Sequence, residues 1–318
     1  MATLSLGPEQ MIVIGLAIGI VILIAIWEAR GGLPVKKGTE ITPETLLLGL
    51  DKPVLWLFYN TSEVNSRQWS DFGARSSRVI NIPLLNLCYE TIVAKNGADY
   101  RIEVIGGLER VAELLGGWDK LPSQMRYSKA RVTEPEEDWI RAAVLAKFGG
   151  LWLSPAVVCL KPFGTLSKKV PTFFGQNQDP LYGSPIPGFN AVWVPSEGKA
   201  IMSDWEARCR SRLEWQLGGK QVRGDSKSDW IELTKKYETE VKVLEELSRD
   251  PRTNMNLDLE QIFSSGGKIN VPSQAIYLVI PLNNLLDRRM WGWVLRSSEE
   301  QIMASDLAVI PLIKSGLQ

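Results

Sequence analysis

Apolar residues are spread unevenly along the chain, and their pattern divides it. Met11 to Trp27 (MIVIGLAIGIVILIAIW) carries no charge. At ~1.5 Å per residue such a helix covers ~25 Å, close to a ~30 Å hydrocarbon core, and Trp27 can extend it into the interface. The pattern predicts an uncleaved membrane anchor over residues 1–30, with a buried core helix as the alternative. A secretory signal wants a basic start and small residues at its cut site. Residues 1–10 hold no Lys or Arg, and the run ends in Trp27-Glu28-Ala29-Arg30. Arg30, Lys36 and Lys37 follow the run, whereas only Glu9 precedes it. The positive-inside rule then predicts a single-pass protein with its soluble domain cytoplasmic and a short N-terminus outside or lumenal. Gly15 and Gly19 form a GxxxG spacing through which two such helices can dimerise.

A linker over residues 31–52, with turn residues at Gly31, Gly32, Pro34 and Pro43, precedes one large domain at 53–318. Val54 to Tyr59 (VLWLFY) reads as a buried strand, and Tyr100 to Ile105 as an alternating one. Arg78 to Leu87 holds another apolar run, with Pro83 inside it. Leu108 to Leu115 is a short helix stopped by Gly116, and Asp138 to Phe148 a helix stopped by Gly149-Gly150. Leu151 to Leu160 reads as a strand broken at Pro155. Phe173-Phe174 and Ala191 to Val194 are short strands, Ile201 to Leu217 and Lys227 to Leu247 helices, and Ser297 to Ser305 a last short helix. Strands alternate with helices, so the expected class is α/β with a mostly parallel sheet flanked by helices.

Composition narrows the chemistry. Lys plus Arg and Asp plus Glu both number 36, which gives no electrostatic case for nucleic acid as a partner. Histidine is absent, which removes Ser-His-Asp and Cys-His catalysis and nearly every catalytic zinc site. Cys88, Cys159 and Cys209 are odd in number and far apart, so they read as buried free thiols. No GxGxxG or P-loop spacing is present.

The most informative stretch runs from Asp138 through Arg141, Phe148-Gly149-Gly150, Trp152, Ser154 and Ala156 to Val157. It resembles the core of glycosyltransferases with a sugar-binding DxD region, the family-32 type that includes capsular polysaccharide synthesis proteins and mannosyltransferases. Their pattern is Asp-x-x-Arg, a helix, aromatic-Gly-Gly, an aromatic, then Asp-x-Asp-Val. The resemblance implies a GT-A-like (Rossmann-like) sheet. It also implies that Asp138 meets the donor ribose or sugar, Arg141 the sugar or phosphate, and Trp56 the base. Gly149 and Gly150 would give a tight turn and let substrate approach. Arg288 to Trp293, with Trp291 and Trp293, could cap the donor pocket or form a partner contact. In the family two carboxylates hold Mn²⁺ or Mg²⁺ against the donor diphosphate. Here those positions are Ser154 and Ala156. Read without the resemblance, Asp138 and Arg141 form an i,i+3 helix pair worth ~0.2–0.5 kcal/mol. Trp56 and Trp152 read equally as core, and Glu134 to Glu137 as an acidic helix start.

These observations favour a non-catalytic, membrane-anchored transferase-like protein with a structural or scaffolding role, such as a virion or membrane-associated assembly component on a viral internal membrane. Protein partners are expected and no cofactor. The alternatives are an active transferase using a nucleotide sugar, with Mn²⁺ or Mg²⁺, and a glycan-binding module. Asp179 or Asp287 entering the space beside Ser154 and Ala156 would restore acidity there.

Overall fold

The computed structural model describes residues 52–60, 82–126, 131–178, 185–217, 225–242 and 245–318. The chain divides into two units, Met1–Glu40 and Ile41–Gln318, and every described residue belongs to the second. The expected anchor at Met11 to Trp27, its Gly15 and Gly19, its flanking charges and most of the linker lie outside the described residues. Among the described residues no helix is long and apolar enough to cross a membrane.

β1 (Val54–Tyr59) is buried at every position. Its alternation sends Leu55, Leu57 and Tyr59 into one core layer and Val54, Trp56 and Phe58 into the other. A strand covered on both faces has no polar side, which is why it reads as a continuous apolar run. Next come α1 (Pro83–Asn96), β2 (Arg101–Gly106) and α2 (Leu108–Leu115). The apolar run around Pro83 is the start of α1: proline sits in the first turn, where a missing N–H leaves no intrahelical bond unmade. α2 stops at Gly116, whose φ is +101°.

α3 (Glu134–Phe148) begins one turn before the expected Asp138. The Glu136 carboxylate accepts from the Thr133 backbone N–H and hydroxyl, each at 2.8 Å, and closes the first turn. Glu134, Glu136 and Glu137 then sit beside the positive end of the helix dipole. The one strand expected over Leu151 to Leu160 is two, β3 (Gly150–Leu153) and β4 (Val157–Cys159), and they belong to different sheets. Pro155 cannot donate to a ladder, so the chain leaves the first sheet there.

β5 (Thr172–Gln178), β6 (Pro185–Val194), α4 (Ala200–Leu217) and α5 (Ser226–Lys236) follow. The long charged helix expected over Lys227 to Leu247 ends at Lys236. The backbone is extended at Tyr237, and the next residues form β7 (Glu240–Lys242) and β8 (Glu246–Leu247). β7 pairs with β5, and β8 with β9 (Tyr277–Val279). Open sheet edges take these segments despite their helical composition. Short helices Leu282–Asp287, Gly292–Arg296 and Glu299–Met303 lead to α6 (Ile310–Leu317), one helix beyond the last one expected.

The main sheet has the order β2-β1-β3-β6-β5-β7. β2, β1 and β3 are parallel, β6 runs against both β3 and β5, and β7 is parallel to β5. Only β6 runs against the rest. α2, α3, α4 and α5 build the core layer on one face. α1, α6 and the small β4-β9-β8 sheet build the layer on the other. The domain is therefore α/β, with a mostly parallel sheet flanked by helices. Cys88, Cys159 and Cys209 are buried and unpaired. Burial pushes the Cys159 and Cys209 thiols up to about 12, which keeps them unreactive.

Candidate functional site

The chain leaves β1 to form β2 on one side and then returns to form β3 on the other, so the strand order switches at the carboxyl end of β1. In open α/β sheets ligands settle in the crevice at such a switch point. A cleft of ≈ 370 Å³ opens there, lined by Phe58 and Asn60 from the end of β1 and by Ser154, Pro155 and Ala156 after β3. That size falls within the ~300–1,000 Å³ of small-molecule sites. The first turns of α3 contribute Glu134, Glu137, Asp138 and Arg141, with Arg131 just before them. β6 supplies Phe189 and Asn190, and the segment Val279 to Asn284 forms the remaining wall.

Asp138 and Arg141 are 8 % and 7 % exposed. Asp138 Oδ1 accepts from Arg141 Nη1 at 3.0 Å, and its Oδ2 accepts from the Ser226 hydroxyl at the start of α5. Arg141 Nη2 donates to Glu137 Oε1 at 3.1 Å, and its guanidinium lies 5.7 Å from the Trp152 ring centre. The pair is thus a buried three-residue ion cluster braced by an aromatic face and a second helix. Burial pushes the half-buried Glu137 carboxyl up, and the Arg141 charge draws it partly back.

Across the cleft, Asn190 Nδ2 donates to Glu246 Oε1 at 3.1 Å, and the Tyr277 hydroxyl donates to Glu246 Oε2 at 3.2 Å. A carboxylate only accepts, so it fixes which end of the Asn190 amide faces away. Burial pushes Glu246 up, against the hydrogen bonds it receives. Arg131 Nη2 donates to Asn283 Oδ1 at 3.0 Å, tying α3's approach to the far wall. Asn60 accepts from the Val132 backbone N–H at 2.8 Å and is 6 % exposed, so it caps the floor.

Asp138, Arg141, Ser154 and Ala156 therefore meet in one cleft. The other expected residues stand elsewhere. Trp56 is 1 % exposed, and its Nε1 donates to the Gly149 carbonyl at 2.8 Å. It is a core strut with no ring face open to a base. Gly149 and Gly150, at φ +71° and +98°, make the turn at the amino end of β3, opposite the cleft. A Cβ on Gly150 would lie 2.6 Å from the Val54 carbonyl, so close backbone packing demands glycine, and no substrate approaches there. Trp291 packs on Phe263 at 5.5 Å, and Trp293 is 42 % exposed. Neither lines the cleft; Pro281 to Asn284, just upstream, do.

Asn190, Arg131, Asn283, Asn284, Glu137 and Ser226 were not singled out as site residues from the sequence. One signal was available for Asn60: a polar residue directly after a fully apolar strand marks the carboxyl end of a parallel sheet.

The residues do not fit a divalent metal. Position 154 offers a hydroxyl and position 156 a methyl, where hard cations want several carboxylate or carbonyl oxygens. Asp138 and Glu137 are already engaged by Arg141 and Ser226. Asp287 does not reach the cleft, and Asp179 lies outside the described residues. Among the described residues no group of three His, Cys, Asp or Glu side chains could hold a metal ion.

No protein-family model matches the chain, and no curated protein matches it.

Proposed function

We propose that residues 53–318 form a glycosyltransferase-like domain of the GT-A kind that keeps a ligand cleft and has lost metal-assisted transfer. The domain is tethered to a membrane by the N-terminal segment and acts through what it binds and touches, as a structural or assembly component. The observation that carries this reading is the end of β3, where Ser154 and Ala156 face the cleft in place of two carboxylates. Preorganised charge at a leaving group is often the largest single catalytic effect, and these side chains cannot supply it. The cleft's place at the switch point, and the convergence of Asp138, Arg141, Ser154 and Ala156 in it, support the transferase-like frame. A second reading is metal-independent transfer, favoured by the two cationic side chains, Arg131 and Arg141, at the same cleft. Full-length protein incubated with UDP-glucose and GDP-mannose, with and without Mn²⁺, separates them. The proposed reading predicts no nucleotide release above background. Metal-dependent release overturns it, and metal-free release that falls in Arg141→Lys establishes the second reading.

A further inference from the structure

We infer that the cleft binds an uncharged saccharide directly, as a mono- or oligosaccharide without a nucleotide diphosphate. The inference rests on the proposed reading for the kind of ligand and goes beyond it in excluding the nucleotide. The first argument is charge. Among the described lining residues Arg131 and Arg141 face Glu134, Glu137 and Asp138, a formal excess of one negative charge. The Arg141 charge is moreover shared between two of those carboxylates, one bonded to each terminal nitrogen. A nucleoside diphosphate would bring further negative charge to a site whose β3 end offers Ser154 and Ala156 in place of a cation-recruiting carboxylate pair, and the like charges would repel.

The second argument is the set of polar groups left to a ligand. Among the described residues the Ser154 hydroxyl, the Asn190 Oδ1, the Asn283 Nδ2 and the Asn284 amide have no hydrogen-bond partner in the protein. The Asn190 Oδ1 only accepts and the Asn283 Nδ2 only donates, the Ser154 hydroxyl and the Asn284 amide can do both, and all are neutral. Sugar hydroxyls both donate and accept, so this mixture suits them, whereas a phosphate only accepts and leaves the outward Asn190 Oδ1 without a donor. The two asparagines with one committed end are preset. Glu246 holds the Asn190 amide nitrogen, and Arg131 holds the Asn283 carbonyl oxygen, so the opposite end of each is turned outward. Polar atoms dominate the lining, and Phe58, Pro155 and Pro281 add apolar surface suited to the C–H face of a pyranose.

The test uses the full chain in nanodiscs prepared without glycoside detergents. Methyl glycosides of glucose, mannose, galactose and N-acetylglucosamine, and separately UDP and GDP with and without Mn²⁺, are titrated and followed by saturation-transfer NMR. At least one methyl glycoside is expected to bind with a Kd of about 1 mM or tighter. Mn²⁺ leaves that binding unchanged. Asn190→Ala and Asn284→Ala each weaken it about 2- to 10-fold, the range for one lost hydrogen bond. Asn284 is exposed, so its variant tests the claim even if Asn190→Ala, which strips a donor from Glu246, fails to fold. Absence of saturable binding across the sugar panel, or tighter binding of UDP or GDP than of any sugar, overturns the inference. Neither result touches the proposed loss of transfer, which nucleotide release tests separately.

Discussion

Replacing Arg141 with Met separates a surface helix pair from a buried ion cluster. By spacing alone Asp138 and Arg141 are an i,i+3 pair, and removing one member of such a pair costs ~0.2–0.5 kcal/mol. In the fold both residues are more than nine-tenths buried, and the guanidinium serves Glu137 as well. Methionine fills similar space but leaves two carboxylates without their cation. Breaking a buried pair on one side typically destabilises by ~3–5 kcal/mol. For a domain of this size each kcal/mol moves Tm by roughly 2–4 °C, so the expected loss is about 6–20 °C. The pH dependence adds a second signature. Burial already holds Glu137 above its usual 4.5, and Arg141 is the neighbour that draws it down. Without that charge Glu137 rises further. A raised carboxyl contributes stability that is full below the unfolded value and is lost as pH rises through the folded one. The variant's deficit should therefore widen as pH climbs from about 4.5 toward neutrality. Differential scanning fluorimetry across that range reads both effects. A Tm loss under about 2 °C, flat with pH, would refute the buried-cluster account.

The remaining predictions are equally direct. Gly150→Ala meets the Val54 carbonyl and a φ of +98°, whereas Gly116→Ala, at +101°, meets nothing within 4 Å. Both variants should lose about 1–3 kcal/mol to backbone strain, and Gly150→Ala clearly more, as urea midpoints will read. Glu246→Gln removes a carboxyl that burial holds above 4.5, so the wild type should lose stability relative to the variant as pH rises through the folded value, with convergence in acid. Equal slopes of Tm against pH would contradict that assignment. Ser226→Ala removes the hydroxyl held by Asp138 and should cost about 1.5–3 kcal/mol, the range for a hydrogen bond to a charged group. Chemical denaturation measures it, and a loss under ~0.5 kcal/mol would detach α5 from the cleft.

Where local chemistry decides the backbone, the chain is readable as text. Val54 to Tyr59 is apolar on both faces because both faces are covered, and α2 ends where Gly116 takes a positive φ. Pro155 marks a break from sequence, but that the break carries the chain into a second sheet depends on β9, more than a hundred residues later. The same distance effect hid β7 and β8. Glu240–Lys242 and Glu246–Leu247 look helical by charge pattern and become strands only because β5 and β9 present open edges. The cleft divides the same way. Asp138, Arg141, Ser154 and Ala156 share one helix-turn-strand unit, so their spacing brings them together. Asn190, Asn283 and Asn284 arrive from strands and turns far along the chain, and nothing local to them announces a site. Trp56 shows the opposite failure: a large aromatic on a strand that could face a ligand is spent as a strut under the Gly149 carbonyl.

The account turns on whether the end of β3 can recruit a divalent cation. Titrating Mn²⁺ into the full chain, followed by electron paramagnetic resonance, tests this beside Ser154→Asp/Ala156→Asp, which restores both carboxylates. The account predicts no saturable Mn²⁺ uptake by the wild type and one new site in the double variant. One equivalent of Mn²⁺ bound by the wild-type cleft, abolished by Glu137→Gln or Asp138→Asn, would contradict it.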